Sequence, residues 1–585
     1  MTAARPGMAP LEHPTQQDIA PAALAVEAAP LPLEAAPARP WARVQAWDAR
    51  WPLLLPLLGY LGLRLWLLAG TKLNSDEPQH LHVVWAWTQQ ALVPYRDVFD
   101  NHVPLFHILL APWLRALGER ADVLLWARAL MLPLALASVA LTAWVGLRLW
   151  GRQVARGAVL VLMAVSAYSL VAAEFRADAL WGLAWIAGLA ALLLGRWRPW
   201  RAGLAGLCMG IALMTSLKTV PLLLALGAAA AWTWWQWPAQ DRPPAAVWRQ
   251  AARWWLAGLL LPVAVVLGIV YQRGALGAMV EDALLFNLGA HVHEQGTWLR
   301  LALLPLLLAA TFWPLRGALA RVPVQARARQ ARRVLLAATA GVAATLILGV
   351  WPLLTRQDLL PLLPPLALLL AAWWHAHPRS GRQRWLLGAL ITTALAWQLL
   401  FHLPWSDPLR GYRDWLGAVL AITRPGEPVL DAKGAAVYRP RPYFPVLETL
   451  TRARIARGDL PDGLVAALRE SQTHVVAPHR FTPAAEAFVR SHYLPLRPDL
   501  WVSGHELDIA DPAQGLAFPL AIGGGYRLLD AEGREVQGAR IDAQPVTGEV
   551  LLEPGRHRLQ VPQAGRYWLL WAPAAGWWQA QRTQA

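Results

Sequence analysis

Asp76 and Glu77 are followed by Asp97, Asp100 and His102, all just past the first long apolar run of the chain, Trp51 to Gly70. Carboxylates at the edge of a membrane are costly to keep near lipid and are retained for function. A second acidic group, Glu174-Phe175-Arg176-Ala177-Asp178, follows a later apolar run. A carboxylate there can deprotonate an acceptor hydroxyl or amine, hold a metal ion or relay protons. Sugar transfer is one reaction suited to it, because an acid anion opposite the leaving group stabilises an oxocarbenium-like state. A phosphate leaving group departs without a general acid but needs cations, and Lys218, Arg176 and Arg356 stand at the ends of apolar runs where they can serve. The bland alternatives are a helix cap, with Ser75 or Asp76 as N-cap and Pro78 in the first turn, and snorkelling to headgroups for each cation. Capping does not account for the clusters at Asp97, Asp100, Glu174 and Asp178 on the same face.

The elements that position these residues follow from composition. Of 585 residues, 56% are hydrophobic and 15% charged, against about 25% charged in soluble domains. Apolar runs long enough to cross a hydrocarbon core of about 30 Å recur through the first 400 positions. The net charge of +16 comes from arginines clustered between those runs. That is the pattern of cytoplasmic loops, so a nucleic-acid partner is not expected. The single cysteine, Cys208, excludes an intrachain disulfide.

The chain reads as an α-helical polytopic membrane protein with about eleven spans, a large first periplasmic loop and a C-terminal periplasmic α/β domain. Residues 1–50 form a disordered cytoplasmic tail without a signal-peptide core, residues 51–403 the transmembrane domain, and residues 404–585 a soluble domain. The spans are Trp51–Gly70, Val123–Leu149, Ala158–Ala173, Ala179–Leu194, Gly203–Leu217, Val220–Trp237, Trp254–Tyr271, Trp298–Trp313, Val334–Leu354, Leu359–Trp374 and Trp385–Leu403. Within the loop 71–120, Val103–Leu117 reads as a helix lying in the interface. Arginines fall inside and acids outside at nearly every turn, which places the N-terminus in the cytoplasm and the C-terminus in the periplasm of a bacterial inner membrane. After Leu403, Glu427–Tyr438 and Thr473–Pro478 read as buried strands with a helix, Leu464–Glu470, between them. Strands follow at Tyr526–Asp530, Glu549–Glu553, His557–Val561 and Tyr567–Trp571.

Asp76-Glu77 followed by Tyr95-Arg96-Asp97-Val98-Phe99-Asp100-Asn101-His102-Val103-Pro104-Leu105 resembles the first outer loop of the C-type membrane glycosyltransferases. The branch is that of the bacterial relatives of protein O-mannosyltransferases and lipid A aminoarabinose transferases. Val103 stands where that branch usually has proline, and Ala177 replaces the proline of its Glu-x-Arg-Pro-Asp loop. The glycine-rich Gly206–Lys218 and the late segment Arg356–Pro365 are similar to two further family segments. The resemblance covers about residues 50–375. It implies a polyprenyl-phosphate-linked sugar as donor, inversion at the anomeric carbon and Asp76 as catalytic base. Glu77, Asp97, Asp100, His102, Glu174, Arg176 and Asp178 would line the substrate pocket, with Lys218 and Arg356 on the phosphate. A divalent metal ion is a candidate cofactor, since some members use one; Asp76, Glu174 and Asp178 can offer oxygens. His291, His293 and Glu294 offer a second metal set, but a plain loop is the better reading there. The acceptor, a glycan, lipid or protein, is not specified by the sequence.

Two other membrane functions compete. A flippase or transporter of a lipid-linked glycan would carry charges at midspan and repeated halves; here the spans are nearly free of acids. An O-antigen-type polymerase would have arginine-rich outer loops, and these are acidic. A scaffold acting through the C-terminal domain leaves residues 74–107 unexplained.

Overall fold

The computed structural model describes residues 51–195, 198–288, 297–350, 354–377 and 380–583. The expected N-terminal tail and the His291–Glu294 segment lie outside the described residues. The first part is helical. The apolar runs become helices at Trp51–Gly70, Val123–Leu149, Ala177–Leu193, Pro199–Thr215, Thr219–Trp235, Ala245–Gln272, Thr297–Phe312, Val324–Val350, Leu363–Ala376 and Gly381–Phe401. Among the described residues, five helical segments are long and apolar enough to cross a membrane, six with one bent pair counted as a span. Others, such as Ala177–Leu193, are apolar but shorter.

The straight span expected over Ala158–Ala173 is instead broken. Arg152–Ala164 and Ser166–Ala173 meet at 76°. A break frees backbone carbonyls that lipid cannot satisfy. The buried Arg64, in the second half of the first helix, donates to the Ser169 carbonyl at 2.9 Å and the Ala172 carbonyl at 2.6 Å. The bend leads the chain into Glu174–Asp178.

The glycines of the Gly206–Lys218 segment have a packing role. Pro199–Thr215 lies against Ala245–Gln272 with backbones in contact. A Cβ on Gly206 would come 1.9 Å from the Trp255 carbonyl oxygen, and one on Gly210 2.4 Å from that of Leu259. Small residues permit this approach between helices.

Helix Asp76–Thr88 and helix Leu105–Leu117 make up the first loop and pack together. Beyond the last long helix, Arg410–Ile422 leads into a sheet-rich part. Its strands are β1 Val429–Leu430, β2 Val475–Val476, β3 Tyr493–Arg497, β4 Leu500–Ile509, β5 Leu516–Leu520, β6 Gly524–Leu529, β7 Arg540–Ile541, β8 Gln544–Pro545, β9 Val550–Leu552, β10 Gly555–Gln560 and β11 Gly565–Trp571. One sheet runs β1-β2-β4-β11-β6-β9, with β3 also on β4, and the second β5-β10-β7-β8. Among these strands of the described residues, β1 and β2 pair in parallel and the other pairings are antiparallel. The helix Leu464–Glu470 stands where expected. The strand expected over Glu427–Tyr438 is two residues long, because Asp431 turns the chain out of the sheet: its carboxylate accepts from the Lys433 and Ala436 amides at 2.8 and 2.9 Å.

Candidate functional site

The site forms where the first loop, the 174–178 loop and the turn after β1 meet. Asp76 begins the Asp76–Thr88 helix, but its side chain does not cap it. Its two carboxylate oxygens accept from Arg176 and Lys433 instead. Arg176 also donates through Nε to Asp178 at 2.9 Å, and Asp178 opens the Ala177–Leu193 helix, where the helix dipole favours an anion. Burial alone would raise the Asp76 carboxyl, but Arg176 and Lys433 outweigh it and hold the group well below the usual carboxylate range. Burial would likewise weaken the Arg176 charge; Asp178 and Asp76 outweigh it and hold the proton more firmly than usual.

Glu77 points the other way. It is fully buried and grips Arg128 through both oxygens, at 2.8 and 2.6 Å. It also accepts from the backbone amides of Phe175 at 2.8 Å and Asn74 at 3.1 Å. Arg128 in turn donates to Thr71 and Lys72 carbonyls at 2.9 Å each. Glu77 thus ties the end of the first helix, the Val123–Leu149 helix and the 174–178 loop into one frame. Glu174 accepts from Asn74 at 2.8 Å in the same frame, and burial together with Glu77 raises its carboxyl.

A histidine cluster borders this frame. Buried Asp100 accepts from the His102 ring at 2.9 Å and lies 3.1 Å from Nδ1 of His107. His107 is 2.9 Å from His80. Burial pushes the His80 imidazole well down, and His102, His107, Arg176 and Lys433 push it further. Burial would raise Asp100, but its histidine neighbours hold it at about 2.

The other expected residues are spread around this centre. Asp97 closes its own turn, accepting from the Val93 amide at 2.7 Å and pairing with Arg96. Lys218 pairs with the buried Asp358 and is an electrostatic neighbour of Asp178. Arg356 is exposed; with Lys72 it is an electrostatic neighbour of His402. A metal does not fit this arrangement. The guanidinium of Arg176 stands between Asp76 and Asp178, and among the described residues no group of three or more histidine, cysteine or acidic side chains is placed to hold an ion.

The sequence reading misses Lys433, as it misses Arg128, His80 and His107. Lys433 sits in the turn Asp431–Gly434, docked on the first loop. Gly434 takes φ +92, and a Cβ there would strike the His82 ring at 2.7 Å. Val437, a β-branched residue at φ 50, holds a strained conformation, and its carbonyl is 2.8 Å from the His82 ring. Arg439 pairs with Glu119, and the Tyr438 hydroxyl donates to the Gly118 carbonyl at 3.1 Å. A signal was present: the lysines of this arginine-rich chain are Lys72, Lys218 and Lys433 alone, and each borders the site.

No protein-family model matches the sequence, and no curated protein matches it. Solved structures do. ArnT from Cupriavidus metallidurans in the apo state aligns at a TM-score of 0.50 with 15% identity, over 79% of this chain and 98% of that one. The same protein bound to undecaprenyl phosphate aligns at 0.47 with 16% identity, over 80% and 98%. The archaeal oligosaccharyltransferase AglB from Archaeoglobus fulgidus, in complex with an inhibitory peptide and a dolichol-phosphate, aligns at 0.43 with 9% identity, over 75% and 70%. The likeness to apo ArnT shows the fold: a helix bundle followed by a C-terminal sheet-rich part.

Proposed function

We propose that this chain is an inverting glycosyltransferase that moves a sugar from a polyprenyl-phosphate donor to an acceptor on the periplasmic side of a bacterial inner membrane. The observation that carries the reading is Asp76, a carboxylate held between Arg176 and Lys433 where the helical part meets the sheet-rich part. The fold shared with apo ArnT supports it. On this reading the helices make about eleven spans, with the N-terminus cytoplasmic and residues 404–585 periplasmic.

The acceptor oxygen or nitrogen attacks the anomeric carbon as the bond from that carbon to the phosphate oxygen breaks. The phosphate leaves with the electron pair, and the acceptor proton passes to Asp76. Lys218 and Arg356 neutralise the phosphate. With two cations on it, Asp76 is a weak base in the resting site. An arriving phosphate competes for Lys433 and restores proton affinity to Asp76 when the acceptor is bound. Glu77 and Glu174 position the loops, while Asp100 and His102 shape the acceptor side. Asp97 acts on the loop conformation. No step requires a metal.

The test is release of polyprenyl phosphate from a panel of polyprenyl-phosphate sugars by the purified protein and its Asp76→Asn variant, with acceptors supplied. A loss of about a hundredfold or more, with the fold retained, is expected. Equal release by both would remove Asp76 from the chemistry, and movement of lipid-linked glycan across liposomes without release would replace the transferase by a transporter.

A further inference from the structure

We propose that the helix ends opposite the Asp76 site form a binding site for an anionic membrane phospholipid, with the phosphodiester on Arg201 and Arg332 and an acyl chain in the cavity between them. The cavity measures about 460 Å³, within the range of about 300–1,000 Å³ typical of ligand pockets. Its walls come from the end of Ala177–Leu193, the starts of Pro199–Thr215 and Ala245–Gln272, the Leu223–Trp234 stretch of Thr219–Trp235 and the first half of Val324–Val350. Asp178 and Lys218 lie at the far ends of the same helices.

Its chemistry is two-sided. The inner wall is apolar, with Leu223, Leu226 and Trp255. The cations on its lining are Arg198, Arg201 and Arg332, and no carboxylate is among the lining residues. Asp241, on the adjoining turn, is already paired with Arg327. Arg332 donates through one terminal nitrogen to the Gly195 carbonyl, while its Nε is buried without a hydrogen-bond partner. The charged neighbours of Arg332 are Arg201, Arg329 and Arg148, all cations. Cations crowded in this way call for an anion, and a guanidinium with donors to spare matches a phosphate. Snorkelling arginines reach outward to headgroups. These instead line a cavity whose apolar depth suits the rest of a lipid.

The test is lipid binding to the full chain in detergent by native mass spectrometry, with phosphatidylglycerol, phosphatidylcholine and inorganic phosphate as separate probes. Phosphatidylglycerol is expected to bind, and the Arg201→Gln/Arg332→Gln variant to bind it about tenfold more weakly or worse. Gly227→Leu is the second variant. Gly227 lines the cavity with nothing within 4 Å of an added Cβ, so the leucine fills the cavity and leaves both arginines in place. It is expected to weaken phosphatidylglycerol as well. Equal binding of phosphatidylcholine, unchanged binding by both variants, or saturation by inorganic phosphate alone would each overturn the lipid site.

Discussion

Lys433 and Asp76, separated by 357 positions in the chain, form an ion pair across the junction of the sheet-rich part and the first loop. The pair makes the second part of the molecule a contributor to the site and not a separate appendage. Asp76 keeps its charge because two cations favour the ionised form. Removing one cation must therefore raise its pKa. Lys433→Met is expected to shift the acid limb of the pH–rate profile upward and to lower kcat/KM by about tenfold or more, with Lys433→Arg recovering part of the loss. The profile of donor turnover between pH 4 and 8, on the order of one pH unit per point, measures both. An unmoved acid limb would separate Lys433 from Asp76 in function.

The adjacent carboxylate has a different fate. Glu77 and Arg128 are both fully buried and satisfy each other. Glu77→Gln would leave a buried guanidinium without its anion, which costs about 3–5 kcal/mol. A marked fall in melting temperature is expected, and Arg128→Met should do the same. A double variant should lose less than the sum of the two, as a double-mutant cycle on thermal unfolding would show. Asp76→Asn, by contrast, changes a carboxylate that is 32% exposed and keeps one oxygen as an acceptor, and it is expected to stay folded. Two adjacent acids, Asp76 and Glu77, thus separate into chemistry and framework.

That separation was only half visible in the sequence. The cluster of acids past Trp51–Gly70 was legible, because charges next to apolar runs stand out, and the helices Trp51–Gly70 and Val123–Leu149 follow their apolar runs. Which of two neighbouring acids meets Arg176 and which meets Arg128 depends on helix phase against partners distant in sequence. The bend between Arg152–Ala164 and Ser166–Ala173 was hidden because its support, Arg64, lies on another helix. Strand β4 was missed because Ser503, His505, Glu506 and Asp508 interrupt its apolar pattern; its burial alternates only in its outer half, while Val502, Ser503 and Gly504 are all buried. Lys433 carried a compositional hint but no motif.

Asp282 gives a pH signature of its own. It lies on the turn of π-helix Val280–Leu285, near Asp100, and burial together with Asp100 and Glu281 pushes it up to about 7. A carboxyl whose folded pKa is raised binds its proton more tightly folded than unfolded. Stability contributed by the neutral form is present below the unfolded value of about 4 and is lost as pH rises toward 7. Asp100 has the opposite sign: its stabilisation holds above about 4 and is lost as pH falls toward about 2. Asp282→Asn is expected to flatten the decline in melting temperature between pH 5 and about 7.5 and leave the acid side unchanged. An unaltered decline would show that Asp282 titrates normally.

The cations at Lys218 and Arg356 differ in the same way as the acids. Arg356 is exposed, so Arg356→Ala should leave the unfolding free energy within about 0.5 kcal/mol of wild type. If it meets the donor phosphate, KM for the polyprenyl-phosphate sugar rises about tenfold while kcat changes less. Lys218 has a structural partner as well. Asp358 is buried and turns its other oxygen to the Thr355 amide and hydroxyl, at 2.7 and 2.9 Å. Lys218→Met would leave that acid short of a cation, so both stability and donor binding should fall. A Lys218→Met/Asp358→Asn pair recovers stability but not donor binding if the ammonium serves the phosphate. Recovery of both would leave Lys218 with the framework alone.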